Sequence, residues 1–172
     1  MTVPTQVIVV MGVSGVGKTT VGRRLADALG WGYAEGDTYH PTGNVEKMRA
    51  GTPLDDRDRW PWLDAMAADI DRWLVEGRPH VLTCSALKRI YRERLIGDRR
   101  GVRLVALEGA EAVIRNRLER RVDHYMPPTL LASQLATLEP PAMDERPITI
   151  NVDAEPERCV AVIRAALDGE LV

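Results

Sequence analysis

No apolar run in these 172 residues approaches the roughly 20 residues that a bilayer-spanning helix needs; the longest is Val7 to Met11. No charged leader with an apolar region and cleavage site precedes that run, so secretion is not expected. Basic residues gather nowhere in a run long enough for a nucleic-acid arm, and the formal net charge is only −2. Cysteine is scarce. Cys84 and Cys159 stand far apart, without metal-type spacing and each within an apolar stretch, which marks them as small core residues of a cytosolic protein. Internal repeats, low-complexity tracts and interdomain linkers are missing too, so residues 1–172 read as one domain.

What is present is an alternation of short apolar runs with helical patterns. Gln6 to Met11 has the composition of a buried parallel strand. Val21, Leu25, Ala28 and Leu29 then repeat at helical spacing until Gly30 stops them. Further strands are predicted at Trp31 to Glu35, His80 to Cys84, Val102 to Leu107 and Ile148 to Val152. Helices are predicted at Asn44 to Ala50, from Pro61 through Leu74, and at Leu87 to Ile96. Three more follow at Ala110 to Arg121, Pro128 to Leu138 and Pro156 to Leu167. This order implies βαβ units, a five-stranded parallel sheet and helices on both faces, with ligands at the carboxyl ends of the strands.

The sharpest local signal is Gly12-Val13-Ser14-Gly15-Val16-Gly17-Lys18-Thr19. It fits the P-loop pattern G-x-x-x-x-G-K-[ST] and lies between a predicted strand and a predicted helix. Glycines let the backbone curl until several N–H groups face one point, and the following helix N-terminus adds its own. Lys18 brings a cation to the β- and γ-phosphates of ATP, the Thr19 hydroxyl is placed for Mg²⁺, and Thr20 continues the phosphate-binding stretch. Two absences narrow the class. The chain has no Asn-Lys-x-Asp stretch to read guanine, and the third predicted strand lacks the acidic end of a Walker B strand. A GTPase switch or a motor ATPase would carry one of these. A regulatory module without transfer activity and a kinase for another hydroxy acid, such as shikimate, are the remaining rivals.

Polar residues crowd instead after the second strand, in Gly36-Asp37-Thr38-Tyr39-His40-Pro41, and again in Pro53-Leu54-Asp55-Asp56-Arg57-Asp58-Arg59-Trp60-Pro61-Trp62. With Asn44-x-Glu46-Lys47-Met48, Cys84-Ser85-Ala86-Leu87-Lys88-x-x-Tyr91-Arg92, Arg117-x-x-x-Arg121-x-x-His124-Tyr125-Met126-Pro127 and Leu130-Leu131-x-Ser133-Gln134-x-x-x-Leu138-Glu139-x-Pro141, these blocks resemble the gluconokinase family over nearly the whole chain, in order and spacing. The resemblance implies a fold like that of nucleoside monophosphate kinases, with a mobile lid near residues 122–140. It also implies transfer of the ATP γ-phosphoryl group to the 6-hydroxyl of D-gluconate, a need for Mg²⁺, and a homodimer.

Within that frame Asp37 is the candidate to orient or deprotonate the attacking hydroxyl, although an aspartate there also suits a turn. His40 is a candidate substrate contact or a loop histidine. Lys47, Arg59 and Lys88 are candidate partners for the gluconate carboxylate; read alone, each is a surface charge. Asp56 and Asp58 can hold sugar hydroxyls or cap the helix expected near Pro61. Ser85, at the end of the third strand, can bond a substrate hydroxyl, and His124 follows as a further substrate contact. Arg117 and Arg121 share a helix face and are expected over the nucleotide and its phosphates. Adenine contacts are expected from backbone near Asp153 to Pro156.

Overall fold

The computed structural model describes residues 3–120 and 130–170. Five strands, β1 (Val7–Met11), β2 (Gly32–Glu35), β3 (His80–Thr83), β4 (Val102–Glu108) and β5 (Ile148–Asn151), form one parallel sheet in the order β2-β3-β1-β4-β5. Val9 of the central strand lies opposite Leu82 on one side and Leu104 on the other. Every residue of β1 is buried, as its Val-Ile-Val-Val-Met composition requires of a strand covered on both faces.

Alternation along β1 divides the core. Ile8 and Val10 pack with Val21 and Leu25 of α1 (Lys18–Leu29), Ile114 and Leu118 of α5 (Glu111–Glu119), and Ile163 of α7 (Pro156–Gly169). Val7, Val9 and Met11 pack on the other face with Trp62, Leu63, Met66 and Ile70 of α3 (Asp56–Glu76), and with Tyr91 and Leu95 of α4 (Arg89–Leu95). The remaining helices are α2 (Thr42–Arg49) and α6 (Leu131–Thr137). Both cysteines are buried free thiols, and burial pushes Cys84 up to about 12, which keeps it protonated and inert. Among the described residues no helix is long and apolar enough to cross a membrane.

The sheet matches the sequence expectation, while several boundaries move for identifiable reasons. Helix α3 begins at Asp56, five residues before Pro61. The side chain of Asp55 accepts from Asp58 N at 2.8 Å and that of Asp58 accepts from Asp55 N at 3.0 Å, so a reciprocal acidic cap starts the helix. Pro61 then sits inside the helix, early enough that only the carbonyl four residues before it loses an intrahelical donor. Trp31 is spent on closing α1, donating its backbone N–H to Ala26 O at 2.9 Å, so β2 starts at Gly32. Helix α4 starts at Arg89 rather than Leu87 because Ala86 takes a left-handed conformation, φ 44°. Of the expected lid near residues 122–140, residues 122–129 lie outside the described residues, and the described part of the helix expected from Pro128 to Leu138 is α6 (Leu131–Thr137).

The turn at Ala86 is held by Arg92, only 2% exposed. Its guanidinium donates to Ala86 O and Leu87 O, both at 3.0 Å, and pairs with Glu145 at 2.6 and 3.2 Å. Removing one partner strands a buried charge, so Arg92→Ala is expected to lower stability by about 3–5 kcal/mol. Urea unfolding checks this: the midpoint should fall with the slope unchanged, and a loss below about 1 kcal/mol would show that the pair does not anchor the turn.

Candidate functional site

The strand-to-helix turn at the end of β1 is built around positions that refuse a side chain. Gly12 has φ 153° and Gly15 φ 85°; a Cβ would lie 2.7 Å from Val16 Cγ1 at the first and 2.6 Å from Leu118 Cγ at the second. Gly17 is the N-cap of α1 and supplies no side-chain acceptor, so the helix presents its first N–H groups to the turn. Lys18 folds back over the loop and donates to Gly12 O at 2.8 Å and Val13 O at 3.0 Å. Ser14 is buried. Its N–H donates to Gln134 Oε1 at 2.6 Å, and its Oγ has no hydrogen-bond partner among the described residues.

Thr19 points to the neighbouring strand. Its Oγ1 donates to Glu35 Oε2 at 2.8 Å, and Glu35 also accepts from Tyr33 OH at 2.6 Å and from Thr83 Oγ1 at 2.9 Å. The Tyr33 phenol is pushed up to about 12, first by burial and then by the carboxylate beside it, so it stays a donor. Glu35 is a site residue that the sequence reading missed. The strand-end rule could have found it, since it closes β2 two residues before Asp37. Gln134 was legible only as a motif letter, because nothing in sequence spacing brings α6 onto the phosphate loop.

Two hollows flank the loop. The first is lined by Ser14, Gly15, Lys18 and Thr19 of the loop together with Asp37, His40, Arg59, Trp62 and Ser85, with Leu130, Ser133 and Gln134 also on its wall. The second is lined by Gly15, Val16, Gly17, Thr20, Arg117, Val152, Ala154 and Pro156. Arg117 bridges it, donating to Val16 O at 3.1 Å and to Val152 O at 3.0 Å. An elongated ligand in the second hollow would reach the first across Gly15, which borders both.

The part of the cavity wall around Asp37 is shaped by close packing behind β2. A Cβ at Gly36 would lie 2.1 Å from Thr83 O, so only glycine lets the chain hug β3 before Asp37 enters the cavity wall. Trp62 Nε1 donates to Gly36 O at 2.8 Å, and His40 stacks on Trp62 with centroids 4.2 Å apart. The amide nitrogen of Asn44 lies 3.2 Å from His40 Nδ1; an amide nitrogen only donates, so Nδ1 accepts and Nε2 carries the ring proton. Burial pushes His40 down to about 4, with Asp37 opposing and Arg59 reinforcing, so the ring is neutral near pH 7.

Of the basic candidates only Arg59 lines this cavity. Lys88 donates to Asp56 Oδ1 at 3.0 Å in a shallow outer cleft that Arg59 also borders. Lys47 pairs with Asp58 at 2.9 Å to each oxygen, and both stand off the cavity wall. Asp58 serves the helix cap instead, and Lys47 together with the Asp55 backbone N–H holds its carboxyl below the usual range. Arg121 and His124 lie outside the described residues. Among the described residues no cluster of three or more His, Cys, Asp or Glu could form a metal cage.

The neutral His40 has a pH consequence. Between about 4, its folded value, and 6.5, its ordinary value, the unfolded chain binds more protons than the folded one, so this residue's contribution to stability rises with pH across that window. Comparing urea-unfolding free energies at pH 5 and pH 7 tests this. His40→Asn should shrink the difference; an unchanged difference would mean the imidazole is not held neutral.

A family profile described as an AAA domain matches residues 7–141. The chain is 51% identical to a gluconokinase of Gluconobacter oxydans (strain 621H) over 154 residues, 87% of this chain and 84% of that protein. Among solved structures it is similar to an unliganded sugar kinase from Janibacter sp. HTCC2649, with a TM-score of 0.90, 43% identity, and coverage of 96% of this chain and 95% of that one. It is also similar to a gluconokinase from Sinorhizobium meliloti 1021, with a TM-score of 0.82, 43% identity, and coverage of 98% and 94%.

Proposed function

Because this chain belongs to the gluconokinase family, it is an ATP-dependent carbohydrate kinase, and we propose that it transfers the γ-phosphoryl group of ATP to the 6-hydroxyl of D-gluconate, giving 6-phospho-D-gluconate and ADP. The observation that carries this reading is a single cavity whose wall brings Lys18 and the phosphate loop together with Asp37 and Arg59. Phosphoryl transfer asks little covalent chemistry of a protein; it asks for alignment and for positive charge where negative charge develops.

The loop N–H groups and the N-terminus of α1 hold the phosphates, while Lys18 leaves the Gly12 and Val13 carbonyls to follow the transferring group. Arg117 and Thr20 border the nucleotide, with Val152, Ala154 and Pro156 beside the base. Asp37 accepts the proton side of the acceptor hydroxyl and aims its oxygen toward the phosphate. The Nε2–H of His40 donates to one of the other sugar hydroxyls, and the hydroxyl of Ser85 donates to or accepts from another. Arg59 presents a planar fork to the sugar-acid carboxylate. Oxygen donors with little protein coordination suit Mg²⁺: the Thr19 hydroxyl would hold it, and Glu35 would accept the hydroxyl proton and so turn the oxygen lone pair toward it. When bound, that cation neutralises charge on the phosphate oxygens. The reading includes a homodimer, as the family resemblance implies, and a cytosolic compartment, as the sparse unpaired cysteines do.

Acceptor-stimulated ADP release tests the function. Gluconate should stimulate turnover far more than glucose or shikimate, and Lys18→Ala should lower that turnover by at least ~10³-fold while folding is kept. Stimulation by shikimate in preference to gluconate would move the activity to another hydroxy acid. Binding of ATP with no acceptor-stimulated turnover would make the chain a regulatory module.

A further inference from the structure

Arg59 enters the cavity from a half-buried polar cluster that the reaction itself does not use. Asp56 and Arg59 are spaced three apart on α3, and Lys88 and Tyr91 three apart at the start of α4, so the two helices set Asp56 and Arg59 against Lys88 and Tyr91. Tyr91 is 1% exposed, and its ring belongs to the apolar core beneath α3. Its hydroxyl reaches out of that core to hydrogen-bonding partners. Arg59 Nη1 donates to that oxygen at 2.9 Å, and the hydroxyl donates to Asp56 Oδ1. A phenol has one proton, and the carboxylate can only accept it, so the direction of both bonds is settled: the lone pair faces Arg59 and the proton faces Asp56.

The second cation closes the cluster. Lys88 Nζ donates to the same Asp56 oxygen at 3.0 Å, and both cations lie over the Tyr91 ring, Arg59 at 5.2 Å and Lys88 at 5.7 Å from its centroid. Burial and then Asp56 raise the Tyr91 phenol, so it keeps its proton. One carboxylate serves two cations, Lys88 directly and Arg59 through the Tyr91 hydroxyl, which leaves this group one excess positive charge, and neutral His40 adds none. The excess is expressed in the cavity through Arg59 alone, because Lys88 is off its wall. Among the described residues Arg59 makes no hydrogen bond other than that to Tyr91, so the rest of its fork can meet a planar carboxylate.

We propose that Tyr91, backed by Asp56, is a positioning residue for acceptor specificity: its hydroxyl fixes the Arg59 guanidinium in the orientation that receives the acceptor's single carboxylate. A pinned arginine loses less side-chain freedom when the anion binds than a free one would, so the hydroxyl favours carboxylate acceptors without touching them. The inference rests on the reading that Arg59 binds the gluconate carboxylate.

Steady-state kinetics of Arg59→Ala, Tyr91→Phe, Asp56→Asn and the double variant Arg59→Ala/Tyr91→Phe separate the two claims, with folding checked by thermal melt. Arg59→Ala should raise the gluconate KM by roughly tenfold or more, the loss of a charge-assisted hydrogen bond. Tyr91→Phe, which keeps the ring and its packing, should raise the gluconate KM by about five- to tenfold, with smaller changes in kcat and in the KM for ATP. In the Arg59→Ala background, Tyr91→Phe should add nothing further, an outcome that a packing role does not produce. An unchanged gluconate KM in Arg59→Ala sinks the carboxylate reading and this inference with it. A raised KM in Arg59→Ala with an unchanged one in Tyr91→Phe overturns the inference alone. So does a loss in Tyr91→Phe that persists undiminished in the double variant. If Tyr91→Phe fails to fold, Asp56→Asn reads the same chain of bonds from its outer end, and a gluconate KM equal to the parent's overturns the proposal there.

Discussion

The whole site hangs on a backbone turn that only glycine can make. Between β1 and α1 the chain must reverse within a few residues while Val16 packs under Gly12 and Leu118 of α5 packs against Gly15. A side chain at either place would push the loop off its supports and turn its N–H groups away from a common point. The buried central strand fixes one end of this turn and the amphipathic helix α1 fixes the other. Lys18 and Thr19 therefore point where they do because of core packing rather than flexible search.

From that turn, order passes outward through side chains with few alternatives. Thr19 is tied through Glu35 to Tyr33 and Thr83, so the phosphate loop, β2 and β3 share one polar knot at the carboxyl edge of the sheet. Arg92 holds the turn that follows β3, which carries Ser85, and Tyr91, its neighbour on α4, meets Arg59. Gln134 reaches the Ser14 N–H from α6. The Thr19 and Gln134 contacts tie neighbouring elements to the phosphate loop, while the Arg92 and Tyr91 contacts tie α4 to the turn after β3 and to α3. In a reaction driven by alignment, such ties convert fold stability into geometry.

Much of this was legible from residues alone, and the failures have physical causes. The β-branched run of β1, the glycine loop and the alternating helical patterns gave the parallel sheet, because they reflect local geometry and burial on both faces. The polar blocks gave Asp37, His40, Arg59 and Ser85, which do meet in one cavity. Lys47, Asp58 and Lys88 belong to the same blocks but are consumed in ion pairs and a helix cap: Lys47 with Asp58, Lys88 with Asp56, and Asp58 with the Asp55 N–H. A sequence cannot say which cation is neutralised before a substrate arrives. Pro61 misled as a helix start because the reciprocal cap of Asp55 and Asp58 outweighs the missing proline N–H. Glu35 and Gln134 stayed hidden since their roles depend on contacts 16 and 120 residues away in the chain.

The central claim is that phosphate and acceptor face each other across one cavity, with the Asp37 carboxylate holding the attacking hydroxyl. The most direct measurement is turnover of Asp37→Asn at saturating ATP, Mg²⁺ and gluconate, with folding confirmed by thermal melt. Asparagine keeps the size and the turn-forming ability of aspartate but removes the charge and the proton acceptor. The account predicts a loss of ~10²–10⁴-fold in kcat with a smaller change in the gluconate KM. Turnover near that of the parent protein would contradict it and leave Asp37 a turn residue.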